Sequence, residues 1–187
     1  MSASAFRRTG LLTALLAFAA AAFAAPPAPP KGTVRGTLTL DGKKIELKHA
    51  AAYTYDSVVA PGKKNVSILL SDKPVSEKAF QENFFWRPGE PLVPGLFEGV
   101  WKTIHMEGGL QGVAISFYPD QKPMGAAVLV GGQEGMFDLM GSDFVAEVKS
   151  ISPRVVGKVR TATSPMEAGD HKLSLDASFD LPATNLK

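Results

Sequence analysis

Apolar and polar residues alternate with a period of two along most of the chain after residue 31. The clearest run covers residues 171–181, HKLSLDASFDL, where every odd position from 173 is apolar and every even position is polar. Side chains of a strand point alternately to its two faces, so such runs predict strands with one buried and one solvated face. Further runs of this kind lie at residues 33–40, 45–57, 65–72, 112–118, 144–151 and 154–162, and residues 123–130 form a short apolar run bounded by glycine.

Turn residues separate these runs and indicate the fold class. The pair Asp41-Gly42 lies between the first two runs and predicts a two-residue hairpin. Many short strands joined by turns predict an all-β domain, either an antiparallel barrel-like domain or a sandwich. Glycines inside the runs predict bends or bulges. These glycines are Gly36, Gly112, Gly125 and Gly157.

Two segments favour short helices. Ser76 can cap a helix whose first turn contains Glu77, and the segment after Pro94 can form another. We therefore expect one or two short helices inserted in the β domain.

The first 25 residues are typical of a secretory signal peptide. Arg7 and Arg8 precede an uncharged, largely apolar stretch from Leu11 to Phe23, and small residues follow it. Residues 26–30, PPAPP, predict a stiff extended leader. We expect a signal peptide over 1–25, a leader over 26–30 and a single β domain over 31–187, released into the periplasm or secreted, with no integral membrane segment after cleavage.

Charge and cysteine content narrow the range of functions. Without Arg7 and Arg8 the count of basic side chains falls from 20 to 18, which equals the 18 acidic ones. A neutral protein lacks long-range attraction for nucleic acid, so we expect no nucleic-acid partner. The chain has no cysteine, which excludes disulfides, thiol catalysis and thiolate metal sites. No cofactor is predicted.

Several segments resemble a group of uncharacterised exported bacterial proteins. These segments are KGTVRGTLTLDGKKIELKHAAAYTYDS and VSILLSDKPV near the start of the predicted domain, and VVGKVRT and LDASFDLPA near its end. The resemblance implies an exported, mostly β domain. It implies no catalytic residue and no particular activity.

One histidine interrupts an apolar row. Every second residue from Ile45 to Tyr55 is apolar or aromatic except His49. His49, with Tyr53 and Tyr55, could supply the polar groups of a mostly apolar ligand pocket. Alternatively, His49 is a core histidine that is paired with a backbone group or a carboxylate. Both interpretations remain open from the sequence.

The segment 84–101 is rich in aromatic residues and is broken by prolines, so it cannot be a central strand. It either covers one end or face of the sheet, or forms a lid or exposed patch that contacts a ligand or a partner protein. Its candidate ligand-binding residues are Trp86, Arg87, Phe97 and Trp101.

Signals for enzyme or metal chemistry are weak. His49, His105 and His171 are far apart in sequence and show no metal-ligand spacing, and no serine-nucleophile or zinc-protease motif is present. The methionines 124, 136 and 140 are expected to fill the core rather than bind copper. The leading hypothesis is a non-catalytic envelope module that binds a small, partly apolar ligand or an envelope protein. The alternatives are a histidine- or metal-dependent envelope enzyme and a purely structural envelope protein.

Overall fold

The computed structural model describes residues 32–75, 94–132 and 135–186. The predicted signal peptide, the leader and the helix predicted after Ser76 lie outside these residues. The strands are β1 (Thr33–Leu40), β2 (Lys43–Leu47), β3 (His49–Asp56), β4 (Lys64–Ser71), β5 (Gly112–Phe117), β6 (Pro123–Leu129), β7 (Met136–Met140), β8 (Phe144–Ser150), β9 (Arg154–Thr161), β10 (Met166–Ala168) and β11 (His171–Asn185). The helix is α1 (Pro94–Gly108), and a 3-10 turn covers Gly141–Asp143.

The strands form two connected layers that curl into a half-barrel, which confirms the predicted all-β, barrel-like fold. One layer, sheet A, has the strand order β2-β1-β11-β9-β8, with β10 beside the start of β11. The other layer, sheet B, has the order β3-β4-β5-β6-β7. Among the described residues, no helix is long and apolar enough to cross a membrane.

The long last strand, β11, joins the two sheets. Residues 173–180 pair with β1 on one side, and residues 176–182 pair with β9 on the other. Residues 183–185 then continue past the end of β1 and pair in parallel with β3 of sheet B. One strand therefore hydrogen-bonds to strands from both layers.

A single apolar core fills the space between the sheets. Its centre is formed by aliphatic residues of both layers, such as Leu38 of β1, Ile68 of β4, Ile115 of β5 and Leu173 of β11. The alternation predicted for β11 is confirmed, since its odd residues from 173 to 181 are buried and the even ones are half-buried or exposed. Non-polar side chains removed from water in this way are the main stabilising contribution of the fold.

Strands β4 and β5 differ from the one-sided pattern that their sequences suggest. All seven residues from Asn65 to Ser71 and all six of β5 are buried. One face of these strands lies in the core between the sheets, and the other is covered by α1. The side of these strands that α1 covers carries small and hydroxyl residues. In the sequence, these residues suggested a face exposed to solvent.

The turn and glycine predictions hold at specific positions. Asp41 and Gly42 both have positive φ values, 49° and 81°, as the hairpin turn between β1 and β2 requires. The register shifts between β5 and β6 next to the Ser116–Gly125 pair, and between β8 and β9 next to the Val148–Gly157 pair. Two of the four glycines therefore lie beside bulges.

Gly36 allows β1 and β11 to pack closely, rather than forming the predicted bend or bulge. A β-carbon at this position would lie 2.5 Å from the β-carbon of Ala177 and 2.6 Å from the carbonyl oxygen of Asp176. We expect Gly36→Ala to lower the free energy of unfolding by about 1–3 kcal/mol, because β1 and β11 must move apart. Urea unfolding followed by circular dichroism measures this change.

Gly99 provides the matched control for Gly36. It is exposed in α1, and a β-carbon there would meet no atom within 4 Å. We expect Gly99→Ala to be neutral or to stabilise the protein by up to about 1 kcal/mol through helix propensity. Equal effects of the two substitutions would contradict the tight β1–β11 contact.

Candidate functional site

Helix α1 packs on the outer face of sheet B and forms a second apolar cluster there. Val100, Trp101 and Ile104 form the buried face of the helix, as expected for residues three and four apart. The rings of Tyr53 and Trp101 lie 5.8 Å apart at 40°. The sheet contributes Tyr55, Leu69, Ala114, Ala127 and Leu129, and Leu110 follows the helix.

The structure brings only some of the predicted ligand-binding residues together. Tyr53, Tyr55 and Trp101 belong to this helix-covered cluster, but Tyr55 and Trp101 are 0% exposed and so contribute to a closed core. A ligand contact of these two residues stays a prediction, and it would require α1 to move. Trp86 and Arg87 lie outside the described residues, as does the side chain of Phe97, whose backbone belongs to α1.

The apolar row from Ile45 to Tyr55 is divided in the structure. Strand β2 ends at Leu47 and β3 begins at His49, with Lys48 between them. Ile45 and Leu47 point into the core between the sheets, whereas Tyr53 and Tyr55 face α1. The chain passes from sheet A to sheet B here, so the two halves of the row lie on different faces.

His105 was not singled out by the sequence, yet it anchors the end of α1. Its ring is buried, with Nδ1 against the carbonyl oxygen of Leu110 and Nε2 3.4 Å from that of Gly132. Lys102 of the same helix contacts the carboxylate of Asp138 on β7 at 2.6 Å. The spacing of four residues between Trp101 and His105 was the available signal, because it places both on one helix face.

Polar atoms are also buried on the side of β4 that faces α1. The side-chain oxygens Asn65 Oδ1 and Ser67 Oγ have no hydrogen-bond partner in the part of the chain that the structure describes. Buried polar atoms of this kind are rare in folded proteins and each needs an explanation. The outer face of sheet B is therefore more polar than a simple helix–sheet contact requires.

His49 lines an open crevice at one end of this same face. It begins β3 and is paired across the sheet with Ser71 of β4. The crevice has a volume of about 150 Å³, and its walls include Ala51, Pro74 and Val75. Within the described part of the chain, no side chain or backbone group forms a hydrogen bond or ion pair with the half-buried ring. The paired core histidine expected from the sequence is thus not seen there.

The hydroxyl group of Ser71 is already used as a donor. Its Oγ donates to the carbonyl oxygen of Lys73 at 2.8 Å. The oxygen can still accept a hydrogen bond, and the His49 ring offers one donor and one acceptor in its neutral form. The crevice therefore combines polar groups from Lys48, His49 and Ser71 with a smaller apolar surface from Ala51, Pro74 and Val75.

The three histidines do not form one site. His105 lies at the end of α1, and His171 lies at the start of β11, where its ring stacks on Phe137 with 5.4 Å between centroids. Across residues 32–75, 94–132 and 135–186, no group of three or more His, Asp or Glu side chains could hold a metal ion. Met140 is 71% exposed, so the prediction that it fills the core is wrong.

Asp41 ties the β1–β2 turn to the start of β11. One carboxylate oxygen accepts from the backbone N–H of Lys172 at 2.8 Å, and the other lies 2.6 Å from Nδ1 of His171. The backbone hydrogen bond from Lys172, followed by the hydrogen bond from His171, lowers the pKa of Asp41 below its usual value. This contact joins two neighbouring turns at the same end of sheet A.

No protein-family model, no curated protein and no solved structure matches the chain. The resemblance to uncharacterised exported proteins therefore remains an expectation.

The burial of Trp101 predicts a large structural cost for its removal. We expect Trp101→Ala to lower the free energy of unfolding by about 3–5 kcal/mol, because it leaves a cavity between α1 and sheet B. The control is Met106→Ala, since Met106 lies on the same helix and is 48% exposed. Urea denaturation compares the two. A cost below about 1 kcal/mol for Trp101→Ala would show that α1 does not cover this face in solution.

The hydrogen bonds of the Asp41 carboxylate should make the stability difference between the natural protein and Asp41→Asn depend on pH. Its pKa is lowered in the folded state, so the carboxylate stabilises the fold above its usual pKa, and this contribution is lost as pH falls through the folded-state value. We expect Asp41→Asn to be less stable than the natural protein at neutral pH, with the difference closing as the pH falls below the usual carboxyl pKa of about 3.9. Urea midpoints measured at neutral pH and through the acidic range test this.

The control for Asp41 is Asp170→Asn in the neighbouring turn before β11, where the residue is exposed. We expect this variant to match the natural protein at neutral pH. A difference for Asp41→Asn that stays constant from neutral to acidic pH would contradict the assigned role of the carboxylate.

Proposed function

We propose that the protein is an exported, non-catalytic binding module of the bacterial cell envelope. The ligand is small and partly apolar, and it enters the crevice beside His49. The observation that carries this proposal is the half-buried His49 ring, which has no hydrogen-bond partner among the described residues and lies at a crevice with both polar and apolar lining. The N-terminal sequence supports export, because residues 1–25 have the features of a secretory signal peptide.

The size of the crevice limits what it can hold. Its volume of about 150 Å³ is below the ~300 Å³ at which pockets for whole drug-sized ligands begin. A group of a few heavy atoms, or one end of a longer ligand, fits this space. Ala51, Pro74 and Val75 suit an apolar fragment, and His49 and Ser71 suit one polar atom on it.

The energetics favour a ligand that hydrogen-bonds to His49. A polar group that is removed from water without a partner costs roughly 1–3 kcal/mol. A bound ligand with a hydroxyl, carbonyl or amide at the ring would supply the missing partner. An apolar part of the ligand adds burial against Ala51, Pro74 and Val75.

A catalytic role for His49 lacks support among the described residues. General acid–base chemistry needs a second group within hydrogen-bond reach of the reacting atoms. The nearest hydroxyl across the sheet, that of Ser71, donates to Lys73. Binding without chemistry is the simpler use of this arrangement.

Native mass spectrometry of the mature protein, purified from the periplasm of its own bacterium, tests the proposal. We expect a reproducible extra mass in the natural protein and its loss in His49→Leu. The leucine keeps the apolar walls but removes both hydrogen-bonding nitrogens. The unfolding midpoint of His49→Leu is expected to change little, because the ring makes no hydrogen bond to the described residues.

His171→Leu is the matched control. His171 is a half-buried histidine that contacts Asp41 and Phe137 instead of the crevice. It should retain the extra mass. A bare polypeptide mass in the natural protein, or an extra mass that persists in His49→Leu, would contradict binding at this crevice. A large loss of stability in His49→Leu would instead favour the core interpretation.

A further inference from the structure

A second concave surface lies on the outer face of sheet A, away from the His49 crevice. It is a groove of about 340 Å³ that runs over β11 between β1 on one side and β8 and β9 on the other. Its polar lining includes Arg35, Lys149, Lys158 and Ser178. No part of the proposed binding function uses this groove.

The strand register explains the shape and the charge of the groove. Ser178 of β11 is paired with Arg35 of β1 on one side and with Lys158 of β9 on the other. A short side chain thus lies between two long cationic ones in a single row across the sheet. Directly opposed side chains are about 5 Å apart at their β-carbons, so the two cations flank the same hydroxyl group.

The cations of the groove are not neutralised by the described residues. Arg35, Lys149 and Lys158 are exposed, and within residues 32–75, 94–132 and 135–186 none is within ion-pair distance of a carboxylate. Asp180 also lines the groove, but Arg154 binds its carboxylate at 2.5 Å. The groove therefore carries a positive surplus.

Two more carboxylates lie close by in the sheet. Glu147 is opposite Lys158 in the β8–β9 register, and Asp176 is opposite Arg160 in the next row of β11. Neither forms an ion pair with the three groove cations in the structure. In solution, the groove cations could instead form transient ion pairs with these two carboxylates. Titration with a phosphate ligand distinguishes such ion pairs from a binding site.

The geometry points to a binding site for a doubly charged oxyanion, namely a phosphate or a phosphomonoester group. The planar guanidinium of Arg35 can donate two parallel hydrogen bonds, and the two lysines add point charges. The hydroxyl of Thr33 can donate to a further oxygen, whereas the hydroxyl of Ser178 donates to the backbone carbonyl oxygen of Arg35 at 3.4 Å. A single carboxylate would leave most of these groups unused, whereas the two cations that flank Ser178, together with Lys149 in the groove lining, suit the larger charge of a phosphate.

The positive surplus is local, since the mature chain has equal numbers of basic and acidic side chains. A neutral protein gains little from general attraction to an anionic surface. Affinity should therefore depend on the named groove residues, and a phosphate group on a small molecule or on a lipid headgroup offers the same chemistry to them.

Isothermal titration of the mature protein with inorganic phosphate, and separately with glycerol 3-phosphate, tests the site. At 0.1 M sodium chloride we expect saturable binding with one site per chain. We expect Arg35→Gln and Lys158→Gln each to weaken it about tenfold, since each removes a charge-assisted contact. Flotation with vesicles containing phosphatidic acid then shows whether the natural source is a lipid headgroup.

Lys63→Gln is the matched control, because Lys63 is an exposed cation in the β3–β4 connection, on sheet B. It should bind phosphate as the natural protein does. His49→Leu should also bind phosphate normally, which keeps this inference separate from the proposed function. Absence of saturable binding to either phosphate probe, or equal weakening by Lys63→Gln and Lys158→Gln, would overturn the proposed site.

Discussion

The pairing of β11 with strands of both sheets is the constraint on which the structure depends. Its first part lies between β1 and β9, and its last three paired residues lie beside β3. Hydrogen bonds along this strand set the register of sheet A and fix where sheet B begins. The core between the layers, the His49 crevice and the cationic groove all take their positions from that register.

Local pattern predicted most of the strands but not β7 or β10, and tertiary contacts decided which strand faces are buried. The alternation in β11 and the Asp41-Gly42 turn predicted the observed structure, because both are properties of adjacent residues. Burial of both faces of β4 could not be predicted in the same way. It depends on α1, a segment that follows more than twenty residues later and covers the side that carries Ser67.

For the candidate sites as well, some features could be predicted from neighbouring residues in the sequence, and others depend on contacts between distant segments. His49 stood out in the sequence because it interrupts an apolar row, and the structure places it at a crevice. Trp101 stood out as an aromatic residue, but its burial comes from packing against sheet B. The groove was not predicted, because Arg35, Lys158 and Ser178 come from three separate segments that only the strand register brings together.

Strand β11 makes the two sheets one cooperative unit, and the two proposed sites lie on the outer faces of this unit. Residue-by-residue hydrogen exchange of the backbone amides measures this cooperativity. We expect the amides of β11 and of β4 to be among the slowest and to exchange with the same free energy of opening. Fast exchange of residues 183–185 and a separate, lower opening free energy for sheet B would contradict it.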